Sequence, residues 1–196
     1  MDAELNYALL RNLASPIVAI TSAWQGRVNA MVANSALRAS LVPEAPRIII
    51  VVSKQHLSHQ LIWKAGAFCL HLLRTDQLQT VYRFGLFSGR DVQKLKPEEY
   101  TIGATGCPVL KDARAYFDCR VINTMDLGAD TCFAGEALDA GQLSQGEVMT
   151  PRSFRAAMPA EWLPLYEQDR IKAQEFSRPL LHRIDYTPWH PRRDTP

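Results

Sequence analysis

The sequence predicts a mainly β fold with helices inserted between its strands, closed or partly closed into a β-barrel. Three observations carry that expectation. Apolar, strand-like runs come in pairs around turn signals, Gln25-Gly26-Arg27 in the first pair and Asp126-Leu127-Gly128 in the second. Between the pairs, Ile48 to Val52 is an unbroken β-branched run bounded by Pro46 and Ser53, too short for a helix and patterned like a strand buried on both faces. No Gly-x-Gly-x-x-Gly and no Gly-x4-Gly-Lys-Ser/Thr motif follows a strand, so hairpins rather than βαβ units organise the chain, and a doubly wound sheet is disfavoured.

In chain order, Leu5, Ala8, Leu9 and Leu13 predict a short helix that Pro16 stops. Ile17 to Ser22 and Val28 to Val32 then form the first hairpin, and a loop of small and hydroxyl-bearing residues, Asn34 to Ser40, leads through Pro43 and Pro46 into the central strand. Ser58 is placed to cap a helix that runs through Ala65 and ends at Gly66. Phe68 to Leu73 reads as a strand, and Asp76 as the cap of a second helix that carries Leu78, Val81, Tyr82 and Phe84 and closes at Gly85. Residues 86–106 look like a long polar surface excursion. Ala113 to Met125 and Thr131 to Leu138 make the second hairpin. After about Thr150 the composition shifts to proline and aromatic residues, with a helix expected over Leu165 to Ala173 behind Pro164 and an extended end from Tyr186 to Pro196. The chain thus divides into a barrel domain, residues 1–146, and a C-terminal helical and extended arm, residues 147–196.

A formal charge of +2 with scattered arginines argues against nucleic acid, and no apolar run is long enough to span a membrane. The N-terminus carries Asp2 and Glu4 rather than a basic signal region, and the four cysteines form no Cys-x-x-Cys pair. A cytoplasmic protein follows, with Cys69, Cys119 and Cys132 as reduced core residues; a disulfide between two of them is the alternative.

The functional candidates lie at the two ends of the central strand. The loop of small residues before it, which includes Asn34, Ser35 and Ser40, lets backbone approach a flat ligand closely. The turn after it offers Ser53, Lys54, His56 and Ser58 ahead of a helix N-terminus, a combination suited to a phosphate group. Each signal has a plainer reading: loop polar groups satisfying their own backbone, and a solvated lysine. His56 and His59 form a His-x-x-His, but His71, His182 and His190 add no matching cluster, so no metal is expected. Gly-x-Ser-x-Gly is absent, and no catalytic acid–base pair is assigned. Cys107, in an exposed-looking loop, is either a reactive thiol or a packing residue. Trp162, Tyr166 and Trp189 either cover a ligand face or staple the arm to the barrel.

Five stretches in order, VNAMVANSALRASLVPEAPRIIIVVSK, SHQLIWKAGAFCLHLL, RFG, GCPVLKDARAYFDCRV and FAGEALDAG, resemble the flavin reductase-like family of FMN-binding split barrels, over roughly residues 12–142. The resemblance implies a split β-barrel that forms a homodimer and holds FMN, with FAD as the alternative. It implies that Ala33, Asn34 and Ser35 meet the isoalloxazine ring, that Ser40 and Leu41 continue the ring contact, that Ser53, Lys54 and Ser58 hold the phosphate with His56 beside them, and that Arg83 and Phe84 reach the flavin from the second helix. NADH or NADPH is the implied electron donor, and free flavin or a partner oxygenase the acceptor. The family commonly has a Gly-Asp-His triplet before its last barrel strand; here the stretch reads Gly128-Ala129-Asp130. That departure keeps a second reading open, an FMN-binding electron-transfer or redox-sensing protein without nicotinamide turnover. Another planar ligand such as haem is a third, with little support from the histidines.

Overall fold

The computed structural model describes residues 2–10, 12–13 and 15–189. Gln25 and Gly26 adopt positive φ of 49° and 77°, the geometry of a tight hairpin turn whose twist matches its strands. They join β1 (Val18–Trp24) to β2 (Arg27–Ala33) in the register Val18 opposite Ala33. Only Asn34 and Ser35 separate β2 from β3 (Ala36–Arg38), which pairs with β4 (Arg47–Ser53). β5 (Ala67–Leu72) lies beside β1, and the long hairpin of β8 (Ala115–Asp126) and β9 (Asp130–Gln142) bridges β5 to β4. A small ribbon stands apart, of β6 (Tyr100–Ile102), inside the stretch 86–106 expected to be a surface excursion, and β7 (Pro108–Leu110), just after it.

The seven-stranded antiparallel sheet has the order β2-β1-β5-β8-β9-β4-β3. Its two edge strands, β2 and β3, are consecutive in the chain. A sheet whose edges are tied by two residues must curl on itself, so Asn34 and Ser35 form the seam of a partly closed barrel. Irregularities between Asp118 and Cys119, and between Val121 and Asn123, add the bend that the long hairpin needs.

Inside the curl, Val18, Ile20, Met31, Ile50, Val52, Phe68, Leu70 and Phe133 form an apolar core into which α2 (Leu57–Ala65) lays Ile62. Behind β1 and β2 a second core joins Ala19 and Ala30 to Val81 and Phe84 of α3 (Leu78–Gly85) and to Met149, Phe154 and Trp162. The arm is therefore stitched to the barrel at its root. Ile17 N–H donates to the Met149 carbonyl and Met149 N–H to that of Leu73, and Thr150 caps α4 (Pro151–Ala157) by accepting from Ser153 N–H. The next helix, α5 (Leu163–Ser177), buries no residue. A first helix, α1 (Ala3–Leu10), matches the expected N-terminal one.

Several local expectations are corrected. β4 alternates between buried and part-exposed positions instead of being buried on both faces, as befits an antiparallel sheet with one inner face. The N-cap of α2 is His56, with no side-chain cap, and Ser58 sits inside the first turn; Gly66 does end the helix, at φ 64°. Gln77, not Asp76, precedes α3, and Asp76 pairs with Arg74 instead. Cys107 is buried rather than exposed, packed with Cys69 and Val109. All four cysteines are free thiols. The extended end is described only as far as Trp189; the rest of it lies outside the described residues.

Candidate functional site

The seam residue Asn34 opens onto a groove between the barrel and the helices that follow it. One section, about 250 Å³, is walled by Ile17, Val32, Ala33, Val81, Tyr82 and Phe154 and is largely apolar. The adjoining section, about 410 Å³, is walled by Gln55, His56, Ser88, Gly89, Arg90, Lys94 and Lys172 and is largely polar. Val32, His56, Gly85, Leu86 and Asp169 line both, so the two are one groove: one end is richer in apolar side chains but also has Arg155 and Arg170, and the other, more polar end has Arg90, Lys94 and Lys172 beside Asp91 and Asp169.

The cationic end has a physical cause. Lys94 is buried with its Nζ donating to the Phe84 carbonyl at 2.6 Å, a neutral partner. Desolvation lowers its pKa to about 8, against the opposing pull of Asp169. Arg90 is anchored by donating from Nη1 to the Gln55 carbonyl at 2.7 Å. His56 is pushed down to about 4 by burial and by the Lys94 and Arg90 charges, so at neutral pH its imidazole is uncharged and available for hydrogen bonding. The first turn of α2, uncapped by any side chain, adds backbone N–H groups and the positive end of a helix dipole. An anion held here would meet two full charges and a helix N-terminus in partly dehydrated surroundings.

Of the residues singled out from sequence, Ala33, Asn34 and His56 come together in this groove, and Phe84 lies in its wall, almost fully buried. The others are placed elsewhere. Ser35 is exposed and its carbonyl accepts Val51 N–H at 2.9 Å. Ser40 and Leu41 line a different cavity, about 440 Å³, with Leu37, Val42, Leu72 and Phe117. There the Ser40 hydroxyl accepts Val42 N–H at 3.1 Å, the local backbone satisfaction that its plainer reading described. Ser53 Oγ accepts Gln55 N–H at 3.4 Å. Lys54 Nζ lies 2.5 Å from Asp126 Oδ2. Ser58 is fully buried and its hydroxyl accepts Asn29 Nδ2 at 2.9 Å. Arg83 pairs with Glu99 at 2.7 Å and faces a third cavity on the far side of α3.

The two histidines of the His-x-x-His diverge. His59 Nε2 sits 2.8 Å from Thr131 Oγ1 and its ring stacks on Trp63, away from the groove. Among the described residues no cluster of His, Cys, Asp and Glu is suited to a metal ion. Asp130, where the family commonly has histidine, is paired in register with Ser53 on the Lys54 side of the turn, and desolvation raises its pKa. His71 is buried in the sheet and accepts Leu110 N–H at Nε2, 3.0 Å, a strand histidine with a structural bond.

Sequence reasoning missed Arg90 and Lys94, which fall in the stretch read as a surface excursion, and Asp169 and Lys172 on α5. The first pair had a signal: two cations four residues apart behind Ser88-Gly89, a small-residue turn. The second had none, because the apolar residues of α5, Leu163, Leu165, Ile171 and Phe176 among them, form no single face that would orient it.

Comparison with known proteins adds to this geometry. Residues 10–158 match the model of the flavin reductase like domain. A high molecular weight rubredoxin of Moorella thermoacetica is 33% identical over 72% of this chain and 62% of its own length. A ferric-chelate reductase (NAD(P)H) of Archaeoglobus fulgidus is 30% identical over 76% of this chain and 86% of its own. The chain thus spans less than two thirds of the rubredoxin relative. Among solved structures, the flavin reductase component of a bacterial two-component tryptophan halogenase superposes with a TM-score of 0.65 at 23% identity, covering 78% of this chain and 95% of that one.

Proposed function

We propose, from the premise that this chain belongs to the flavin reductase like domain family, that it is an NAD(P)H-dependent flavin reductase with FMN in the groove between Asn34 and Lys94. The observation that carries this reading is the groove's polarity. Its more apolar end suits a flat ring system, and its more polar end pairs a buried ammonium, hydrogen-bonded to a carbonyl and within the field of Asp169, with a guanidinium and a helix N-terminus. That donor set fits a phosphate monoester. When bound, a flavin supplies hydride acceptance and onward electron transfer. The chain's own part is placement. Ala33 and Val32 present a face without protruding polar groups, Asn34 offers an amide at the seam, and Arg90, Lys94 and neutral His56 hold the anionic tail. No side chain is assigned to proton transfer.

The test is an FMN titration followed by anaerobic addition of NADH or NADPH. Saturable perturbation of the flavin spectrum and bleaching with either nucleotide are the expected results; a protein that ignores FMN overturns the reading. FAD in the same titration decides between the two flavins.

A second reading is favoured by Asp130: a flavin-binding electron carrier without nicotinamide turnover. A carboxylate tied into the Ser53–Lys54 turn offers no imidazole there. Tight FMN binding with no bleaching by either nucleotide selects it. A homodimer and transfer of electrons to a partner oxygenase complete the proposal. The dimer is supported by Leu37, Leu41 and Val42, all more than half exposed beside the apolar cavity at Leu72 and Phe117. A monomer by light scattering removes it.

A further inference from the structure

The family match ends at residue 158, yet the groove has a wall beyond it. Tyr166 and Arg170 of α5 line the apolar section, Lys172 lines the cationic section, and Asp169 lines both. A helix that buries none of its residues in the core is not held there by packing. It is held instead by contacts around the groove. The Arg170 guanidinium lies 5.0 Å from the Tyr7 ring centroid, which ties α5 to α1, the other flanking helix. The Asp169 carboxylate acts electrostatically on Lys94, and on Lys172 one turn along. α5 thus brings an aromatic ring and Arg170 to the more apolar end, Lys172 to the end that already holds Arg90 and Lys94, and Asp169 between them.

We infer that α5 is the outer wall of the flavin groove and a specificity element of this chain, with Lys172 as a third cationic contact to the flavin phosphate and Tyr166 covering the ring. This rests on the flavin reading above and goes beyond it, because it makes the arm decide how strongly phosphorylated flavin is preferred over riboflavin. With Asp91 and Asp169 in the same section, Lys172 brings its formal charge from zero to +1, which favours a phosphate, whereas riboflavin presents only a hydroxyl at that end.

The experiment is a fluorescence titration of the full chain with FMN and with riboflavin, in the native protein and in Lys172→Ala, Tyr166→Ala and Arg178→Ala. Arg178 is an exposed cation that follows α5 and lines neither section, so it reports the effect of net charge alone. Lys172→Ala is expected to weaken FMN about tenfold and riboflavin hardly at all, the effect of one charge-assisted hydrogen bond. Tyr166→Ala is expected to weaken both flavins, and Arg178→Ala neither. Because Lys172 and Arg178 are exposed, thermal unfolding of those two variants should coincide with the native curve, and thermal unfolding of Tyr166→Ala separates a local loss of affinity from a loss of stability. Unchanged FMN affinity in both α5 variants overturns the inference and leaves the flavin reading intact. Tighter binding in either also overturns it, since α5 would then be an obstruction. A native chain that binds no flavin overturns the reading, and the inference with it.

Discussion

The turn from Ser53 to Ser58 has two sides with opposite fates. On one side Lys54 is ion-paired to Asp126, His59 is bonded to Thr131 and stacked on Trp63, and Ser58 is buried against Asn29. On the other, His56 faces a groove with Arg90 and Lys94, whose nearest polar partners are neutral carbonyls. Lys54 and Lys94 carry the same formal charge, yet Lys54 is ion-paired to a carboxylate while Lys94 is hydrogen-bonded to a carbonyl and acted on by Asp169 only electrostatically. A paired cation stabilises the fold slightly and offers little further attraction; a desolvated cation facing a cavity destabilises the empty protein and rewards an anion. Position relative to a partner, more than residue type, separates structure from site.

The sharpest way to break this comparison is to remove the groove-side charge. Lys94→Met should weaken FMN binding by about 1.5–3 kcal/mol, the range for a hydrogen bond to a charged group, and should deprive the Phe84 carbonyl of the Lys94 ammonium donor. Calorimetric titration checks the first expectation and denaturant unfolding the second. An unchanged FMN affinity would mean that the cationic end is only a solvated surface.

The two histidines on either side of the turn sharpen it further. Both are held near 4, His56 by burial and then the Lys94 and Arg90 charges, His59 by burial and then Lys54. A depressed histidine is neutral in the fold while the unfolded chain takes up a proton from pH 6.5 downward. Stability is therefore complete above about pH 6.5 and is lost as pH falls toward 4, on the order of 2 kcal/mol per histidine at pH 5. Bound phosphate should raise the titration of His56 and leave that of His59 in place, which proton NMR of the two imidazoles reads directly. Equal movement of both would erase the distinction between the sides.

Lys94 itself supplies the next effect. Its pKa of about 8 means that the free protein loses this charge as pH rises through that value. FMN affinity should hold from pH 6.5 to about 7.5 and then fall by up to about tenfold per pH unit, about 1.4 kcal/mol, with the slope absent in Lys94→Met. A flat profile to pH 9 in the native protein would place the phosphate elsewhere.

How much of this was legible beforehand depends on the distance over which each feature is decided. The first hairpin could be read because Gln25-Gly26 fixes a turn locally, and the end of α2 because Gly66 takes the left-handed conformation that terminates a helix. The bonding of the turn after β4 could not be read, because Lys54 is paired with Asp126, 72 residues away, and Ser58 with Asn29 on β2. Lys94 was hidden for the complementary reason: only the fold brings α3's last carbonyls over it and strips it of water. α5 carries no periodic apolar face, so beyond Tyr166, whose two readings stayed open, its sequence did not announce Asp169 or Lys172 as groove residues.

Lys54→Ala gives the smallest effect and the most discriminating one. With its ammonium engaged by Asp126 and about a quarter of the side chain exposed, the pair contributes roughly 0.5–1 kcal/mol to stability. FMN affinity should change by less than about 0.5 kcal/mol, well below the loss in Lys94→Met. The physical reason is competition: to reach a phosphate, Lys54 must first leave a carboxylate that also accepts Gly128 N–H and sits at the head of the β8–β9 turn. If Lys54→Ala instead costs FMN as much as Lys94→Met, the ion pair opens when ligand binds. The two sides of the turn would then be two states of one phosphate site, and Asp126→Asn, which frees Lys54 in advance, would tighten FMN binding in the otherwise native chain.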